Sequence, residues 1–210
     1  MKESYLSVLG ECITEKVIEK SRFITTSCHV ESEEQARTFI AKLNKKYSDA
    51  THNCYAFISD INGNLLRFSD DGEPQGTAGM PMLDVLKNKK LMQTAVVVTR
   101  YFGGIKLGAG GLVRAYSGAT SENLEAAQKV CYQTCAESLY IVDYPFVDST
   151  LRYFSAKDCD VKATEYLDKV TFTVAVKKHL VEEFNAELIN LLNGKIKIEK
   201  LKEYFYPFKI

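Results

Sequence analysis

Three cations sit among five glycines in RYFGGIKLGAGGLVRAY, Arg100 to Tyr116. The cations are Arg100, Lys106 and Arg114; Gly103, Gly104, Gly108, Gly110 and Gly111 lie between them. Glycine permits positive φ and lets a partner approach the backbone closely, at an entropic cost on folding. Gathering it here serves shape rather than stability. Gly108 to Gly111 stand where a helix begins, and a helix N-terminus offers unsatisfied N–H donors and partial positive charge to phosphate. The chemistry these residues suit is anion binding. Arg100, Lys106 and Arg114 would hold phosphate, and the Tyr101-Phe102 pair could present one ring to an unpaired base. A structural reading stands beside this one: the glycines permit a sharp strand-to-helix turn, and Arg100 pairs with a nearby carboxylate.

Those carboxylates lie upstream in FSDDGEPQGTAGMP, Phe68 to Pro81. Asp70, Asp71 and Glu73 are oxygen ligands of the kind Mg2+ takes alongside water and phosphate, and any of them could act as a general base. They could equally cap a turn before Gly72, as aspartate does, or pair with Arg100. His52 and Cys54 are one residue apart on an extended stretch, so both face the same side. They read either as a Cys–His pair in the cleft or as a packed thiol beside a histidine. GGIKLG and GAGG match neither G-x-x-x-x-G-K-[ST] nor G-x-G-x-x-G. A triphosphatase or dinucleotide fold is not indicated.

The elements that must position these residues are legible from periodicity. The chain has 210 residues and 46% apolar content, enough for one large or two small domains. Its 27 basic and 27 acidic residues cancel, so any polyanion must be met by a local patch. No segment approaches the roughly 20 apolar residues of a membrane span, and the N-terminal residues lack the apolar run of a signal peptide. The six cysteines do not follow a zinc or thioredoxin spacing and suit a reducing cytoplasm.

Tyr5 to Leu9 and Lys16 to Val30 read as strands, the second holding a turn at Glu19–Ser21. Ser32 and Gln35 form a capping box before a helix through Ala36, Phe39, Ile40 and Leu43. Asn53 to Asp60 and Leu65 to Ser69 read as strands joined by a tight Asn62-Gly63 turn. A helix is predicted from Gly79 to Leu91, a central strand over Thr94 to Thr99, and a long helix from Gly110 to Val130. That last helix would bury Val113, Tyr116, Thr120, Leu124 and Ala127. Beyond Glu137 the order is βαββαβ: strands at 139–144, 160–166, 170–176 and 195–205, and helices after Asp148 and through Leu180 to Leu192. Asp148 is placed to cap the first helix and Asn193-Gly194 to end the second. The closing Tyr204, Phe205, Tyr206 and Phe208, among lysines, would seal a core or offer rings on an open sheet face.

The long glycine run, FSDDGEPQGTAGMP before it, and HNCYAF at His52 to Phe57 together resemble the signature of the IMPACT family, YigZ in bacteria. The resemblance extends along the chain. It implies an α+β protein with two domains. Residues 1–133 would fold like the second domain of ribosomal protein S-five, and 134–210 as a ferredoxin-like domain; both resemble late domains of elongation factor G. It also implies a cytoplasmic protein linked to translation that binds RNA or the ribosome. The alternative is an enzyme acting on a small anionic metabolite. Eukaryotic members restrain a starvation-sensing kinase pathway using an extra RWD domain, for which this chain leaves no room before its first strand. No cofactor is implied, apart from the Mg2+ that the acidic loop could take.

Overall fold

The computed structural model describes residues 4–210, which divide into two compact units, one up to Cys131 with Lys209–Ile210 and one of Tyr132–Phe208. Both are α+β units with antiparallel pairing.

The first unit is built on a five-stranded sheet in the order β2-β3-β6-β4-β5. Its strands are β2 (Glu11–Ile18), β3 (Ser21–His29), β4 (His52–Ile58), β5 (Leu66–Ser69) and β6 (Thr94–Tyr101). TAVVVT is buried end to end and lies in the centre, as an uninterrupted apolar run requires. A short strand β1 (Ser4–Val8) bridges Leu6 to Leu91. Helix α1 (Glu33–Lys46) covers one face. Ser32 accepts from the Gln35 amide at 3.2 Å, but the Gln35 side chain returns to the Glu31 amide, one residue before the cap, at 2.8 Å. Helices α2 (Gly79–Asn88) and α3 (Gly108–Ala126) cover the other face and enclose a core that includes Phe23, Cys54, Met82, Val96, Val98, Tyr116 and Leu124.

Several boundaries differ from the sequence expectation. α3 stops at Ala126, and what read as its last turn belongs to a long strand, β7 (Lys129–Val142). The alternating run from Lys129 to Gln133 carries a period of two that the preceding helical pattern obscures. Val113 is exposed, because the buried stripe of α3 runs through Leu112, Ala115, Tyr116, Ala119 and Asn123. Asn62-Gly63 is not a two-residue hairpin. Seven residues, 59–65, separate β4 from β5; Gly63 takes the positive φ, and Asp60 Oδ1 accepts from the Leu65 amide at 2.9 Å.

In the second unit β7 pairs with β9 (Val170–Lys177) and with β10 (Lys197–Lys209), and β9 pairs with β8 (Cys159–Tyr166), in a five-stranded sheet ordered β1-β7-β9-β8 with β10 also on β7. Helices α4 (Val147–Ala156) and α5 (Val181–Leu191) pack on one face, with Phe154 and Phe184 against Tyr140 and Phe172. The boundary between the units falls inside β7, so strand rather than linker joins them. Asp148 sits in the first turn of α4 without capping it, because a 3-10 turn, Tyr144–Phe146, leads into the helix. Asn193 and Gly194 take positive φ after α5, as expected.

Candidate functional site

The site of the first unit grows from one row across its sheet. Phe23 of β3, Arg100 of β6 and His52 of β4 are direct cross-strand partners. The 70–77 loop and α3 close over that row. Arg100 Nη1 donates to Glu73 Oε1 at 2.6 Å, and both residues are buried. Tyr116 donates its hydroxyl to the same carboxylate oxygen at 2.7 Å. Arg100 Nη2 reaches Ser21 Oγ at 3.2 Å. The two loops singled out by the sequence therefore meet, and they meet through Arg100 and Glu73. Of the two readings open for Arg100, the structure has the ion pair, and the guanidinium is turned inward.

Asp70 and Asp71 organise backbone. Asp70 Oδ1 accepts from the Ala78 and Gly79 amides at 3.0 and 2.8 Å, and its Oδ2 from Gly76 at 2.9 Å. Asp70 thereby folds the loop onto the start of α2, where no N-cap side chain is present. Asp71, at φ +43, accepts from the Asn53 amide at 2.6 Å. Among the described residues, no three His, Cys, Asp or Glu side chains converge as a metal-ligand set.

His52 and Cys54 share a face, as the alternation of β4 demands. His52 Nδ1 lies 2.7 Å from the Asp71 carbonyl, which can only accept, so Nδ1 carries the proton. Its Nε2 stands 3.9 Å from Glu73 Oε1. The Cys54 thiol lies against the Asp70 carbonyl at 3.0 Å and the Tyr116 hydroxyl at 3.4 Å. Burial pushes it up to about 12, and the nearby carboxylates add to that. It stays protonated at neutral pH, unlike an activated nucleophile. Burial also raises the Tyr116 phenol. The cluster reads as a polar keystone under the glycine loop.

Lys106 and Arg114 are placed differently. Both are exposed, and both line a hollow of about 450 Å3 beside the start of α3. Ile18 and Glu19 at the end of β2 form one wall; Leu107 and Gly111 form another. Lys106 and Arg114 make none of the ion pairs found among the described residues, whereas Arg100 is ion-paired with Glu73 through Nη1 and bonded to Ser21 through Nη2. Leu107 occupies the N-cap position of α3 and no side chain caps it. Gly104 and Gly108 both need positive φ, at +88° and +69°. Gly103 is needed for another reason: a Cβ there would lie 2.0 Å from the Lys20 carbonyl, so loop and hairpin tip are in backbone contact. Glu19 and Lys20 at that tip hold positive φ themselves, strain that non-glycine residues rarely accept.

Tyr101 is tied down, its hydroxyl donating to Asp49 at 2.9 Å and its ring under the Arg22 guanidinium at 5.6 Å. The more open ring of the pair is Phe102. Alternation in β6 foretells that neighbours point opposite ways, but not which one faces water. Ser21 and Thr51 were not singled out by sequence; they accept from the Gly103 and Phe102 amides and so anchor the loop.

In the second unit three of the four closing aromatics, Tyr204, Tyr206 and Phe208, lie on the sheet face opposite the helices. Tyr204, Tyr206 and Phe208 stack edge to face, against Cys135 and Ala175. Lys162 covers the rings of Tyr204 and Tyr206 and pairs with Glu137 at 2.7 Å. The rings are thus covered by lysines.

The fold and site define a class: a two-unit α+β protein whose first unit presents a glycine-rich basic loop locked to an acidic one. Residues 19–124 match the Impact N-terminal domain, and residues 141–195 match a domain of unknown function, DUF1949. The chain belongs to the IMPACT family. It is 40% identical over 200 residues to IMPACT family member YvyE of Bacillus subtilis, covering 95% of this chain and 92% of that one. It is 32% identical to YigZ of Escherichia coli over 203 residues, covering 96% and 100%. A solved structure titled as an hypothetical protein is 32% identical, with a TM-score of 0.62 over 96% of this chain and 99% of that one.

Proposed function

We propose that this protein is an RNA- or ribosome-binding regulator linked to translation, and that it holds backbone phosphates in the hollow between the β2–β3 hairpin and the start of α3. The observation that carries the reading is the pairing state of the cations. Arg100 spends its charge on Glu73, while Lys106 and Arg114 remain exposed beside an uncapped helix N-terminus. Such a site suits phosphate and takes no account of base identity, so it positions a nucleic acid without reading its sequence. The finer fold assignment supports the same reading. The pairing of β7 with β9 and β10 and of β9 with β8, with two helices on one face, supports a ferredoxin-like second unit, and the first unit is proposed to resemble the second domain of ribosomal protein S-five. Fold alone proves no function, and the weight rests on the two exposed cations. The link to translation and a cytoplasmic setting are what the resemblance to the IMPACT family implies, and they belong to this proposal. No described helix is long and apolar enough to cross a membrane.

The test is a titration of labelled tRNA and rRNA fragments at several salt concentrations. Affinity should fall as salt rises, and Lys106→Ala should reduce the salt slope by about one unit. Binding that ignores salt, or that survives Lys106→Ala with Arg114→Ala unchanged, would overturn the reading.

A further inference from the structure

We infer that the exposed ring of Phe102 is a stacking platform for one unpaired nucleobase, which makes the protein prefer single-stranded over paired RNA. This rests on the RNA-binding reading above and names which form of RNA the site takes. Three layers build the platform. Phe23 lies at the bottom, fully buried; the Arg100 guanidinium lies 5.4 Å from its ring centroid and 5.4 Å from that of Phe102. A guanidinium over a ring face is an attractive contact. It occupies one side of Phe102, yet 46% of that residue remains exposed.

A lone exposed phenylalanine is ordinary. This one is braced. Its amide donates to Thr51 Oγ1 at 3.0 Å, and the next amide, of Gly103, donates to Ser21 Oγ at 3.2 Å. Gly103 is pressed on the Lys20 carbonyl with no space for a side chain. Arg100, behind the ring, is held by Glu73 and Ser21. The folded protein has therefore already met the ordering cost that binding would otherwise carry. Lys106 follows four residues later, so a phosphate held in the hollow and a base on Phe102 can belong to one strand. Every base has a π-face, which makes the platform tolerant of sequence. A base inside a duplex has both faces covered by its neighbours and cannot use it.

The chain has no tryptophan, so Phe102→Trp installs a single fluorescent reporter. The full-length variant is titrated with single-stranded oligoadenylate, an abasic strand of equal length, and a perfect hairpin. Tryptophan emission should be quenched by the oligoadenylate and not by the abasic strand or hairpin stem. Phe102→Leu keeps apolar cover over Arg100 without a π-face, and should weaken oligoadenylate binding about 5- to 150-fold while leaving the salt slope intact. Oligoadenylate bound with a normal salt slope, without quenching and with no loss in Phe102→Leu, would overturn the stacking role and leave the phosphate site standing. Failure of every RNA to bind would overturn both.

Discussion

Arg100 carries a full charge in a place with little water. The energy of such a pair is a balance, since desolvation offsets most of the attraction, and deleting one partner exposes the imbalance. Arg100→Met leaves Glu73 with the Tyr116 hydroxyl and, farther off, His52; Glu73→Gln leaves the guanidinium buried with no anion. Each substitution is expected to cost about 3–5 kcal/mol in urea unfolding. The double substitution should cost clearly less than the sum, because the second removes the charge that the first stranded. Single losses under about 1 kcal/mol would mean the pair contributes little to holding the two loops together. The sequence offered three carboxylates for this arginine and no ground for choosing. The choice follows from the path of the 70–77 loop, where Asp70 and Asp71 are consumed by backbone amides. Local spacing could not reveal that.

At the scale of elements, the glycines divide by what surrounds them. Gly103→Ala would drive a methyl into the Lys20 carbonyl, and neither backbone can yield without opening the β2–β3 hairpin. A loss of about 1–3 kcal/mol is expected, as for other overpacked sites. Gly110 and Gly118 lie inside α3 with no crowding, Gly110 meeting only the Arg114 side chain at 3.6 Å. Alanine at either position should stabilise the protein by up to about 1 kcal/mol, measured by thermal or urea unfolding. Gly110→Ala should also weaken RNA binding if the first turn of α3 meets phosphate, while Gly118→Ala should not. Equal RNA affinity in both variants would remove the helix start from the site. Most elements were legible, since hydrophobic period and caps mark them: Ser32, the apolar Thr94–Thr99 run and Asn193-Gly194 behave as written. The exchange of α3 for β7 was not. Ala126, Ala127 and Val130 continue the helical spacing by side-chain type, and the extended backbone at Ala127 is imposed by tertiary pairing, which includes the Leu9 amide on the Gln128 carbonyl at 2.8 Å.

For the whole molecule, the balance of 27 cations and 27 anions means that a distant polyanion feels almost no net pull. Affinity for RNA must then depend on where a cation sits and not on how many there are. Two double variants separate these ideas, because each removes two positive charges. Lys106→Gln with Arg114→Gln strips the hollow of its cations. Lys16→Gln with Lys42→Gln removes cations already neutralised, Lys16 by Glu122 and Lys42 by Glu11 at 2.9 Å. The first pair should reduce the salt slope for single-stranded RNA by about 1.4 units, at roughly 0.7 for each phosphate no longer neutralised. The second should leave the slope as it was, because a cation held by a carboxylate releases few counterions when RNA arrives. Equal reductions from both pairs would make net charge the governing quantity, and the hollow beside α3 would then have no special part in binding.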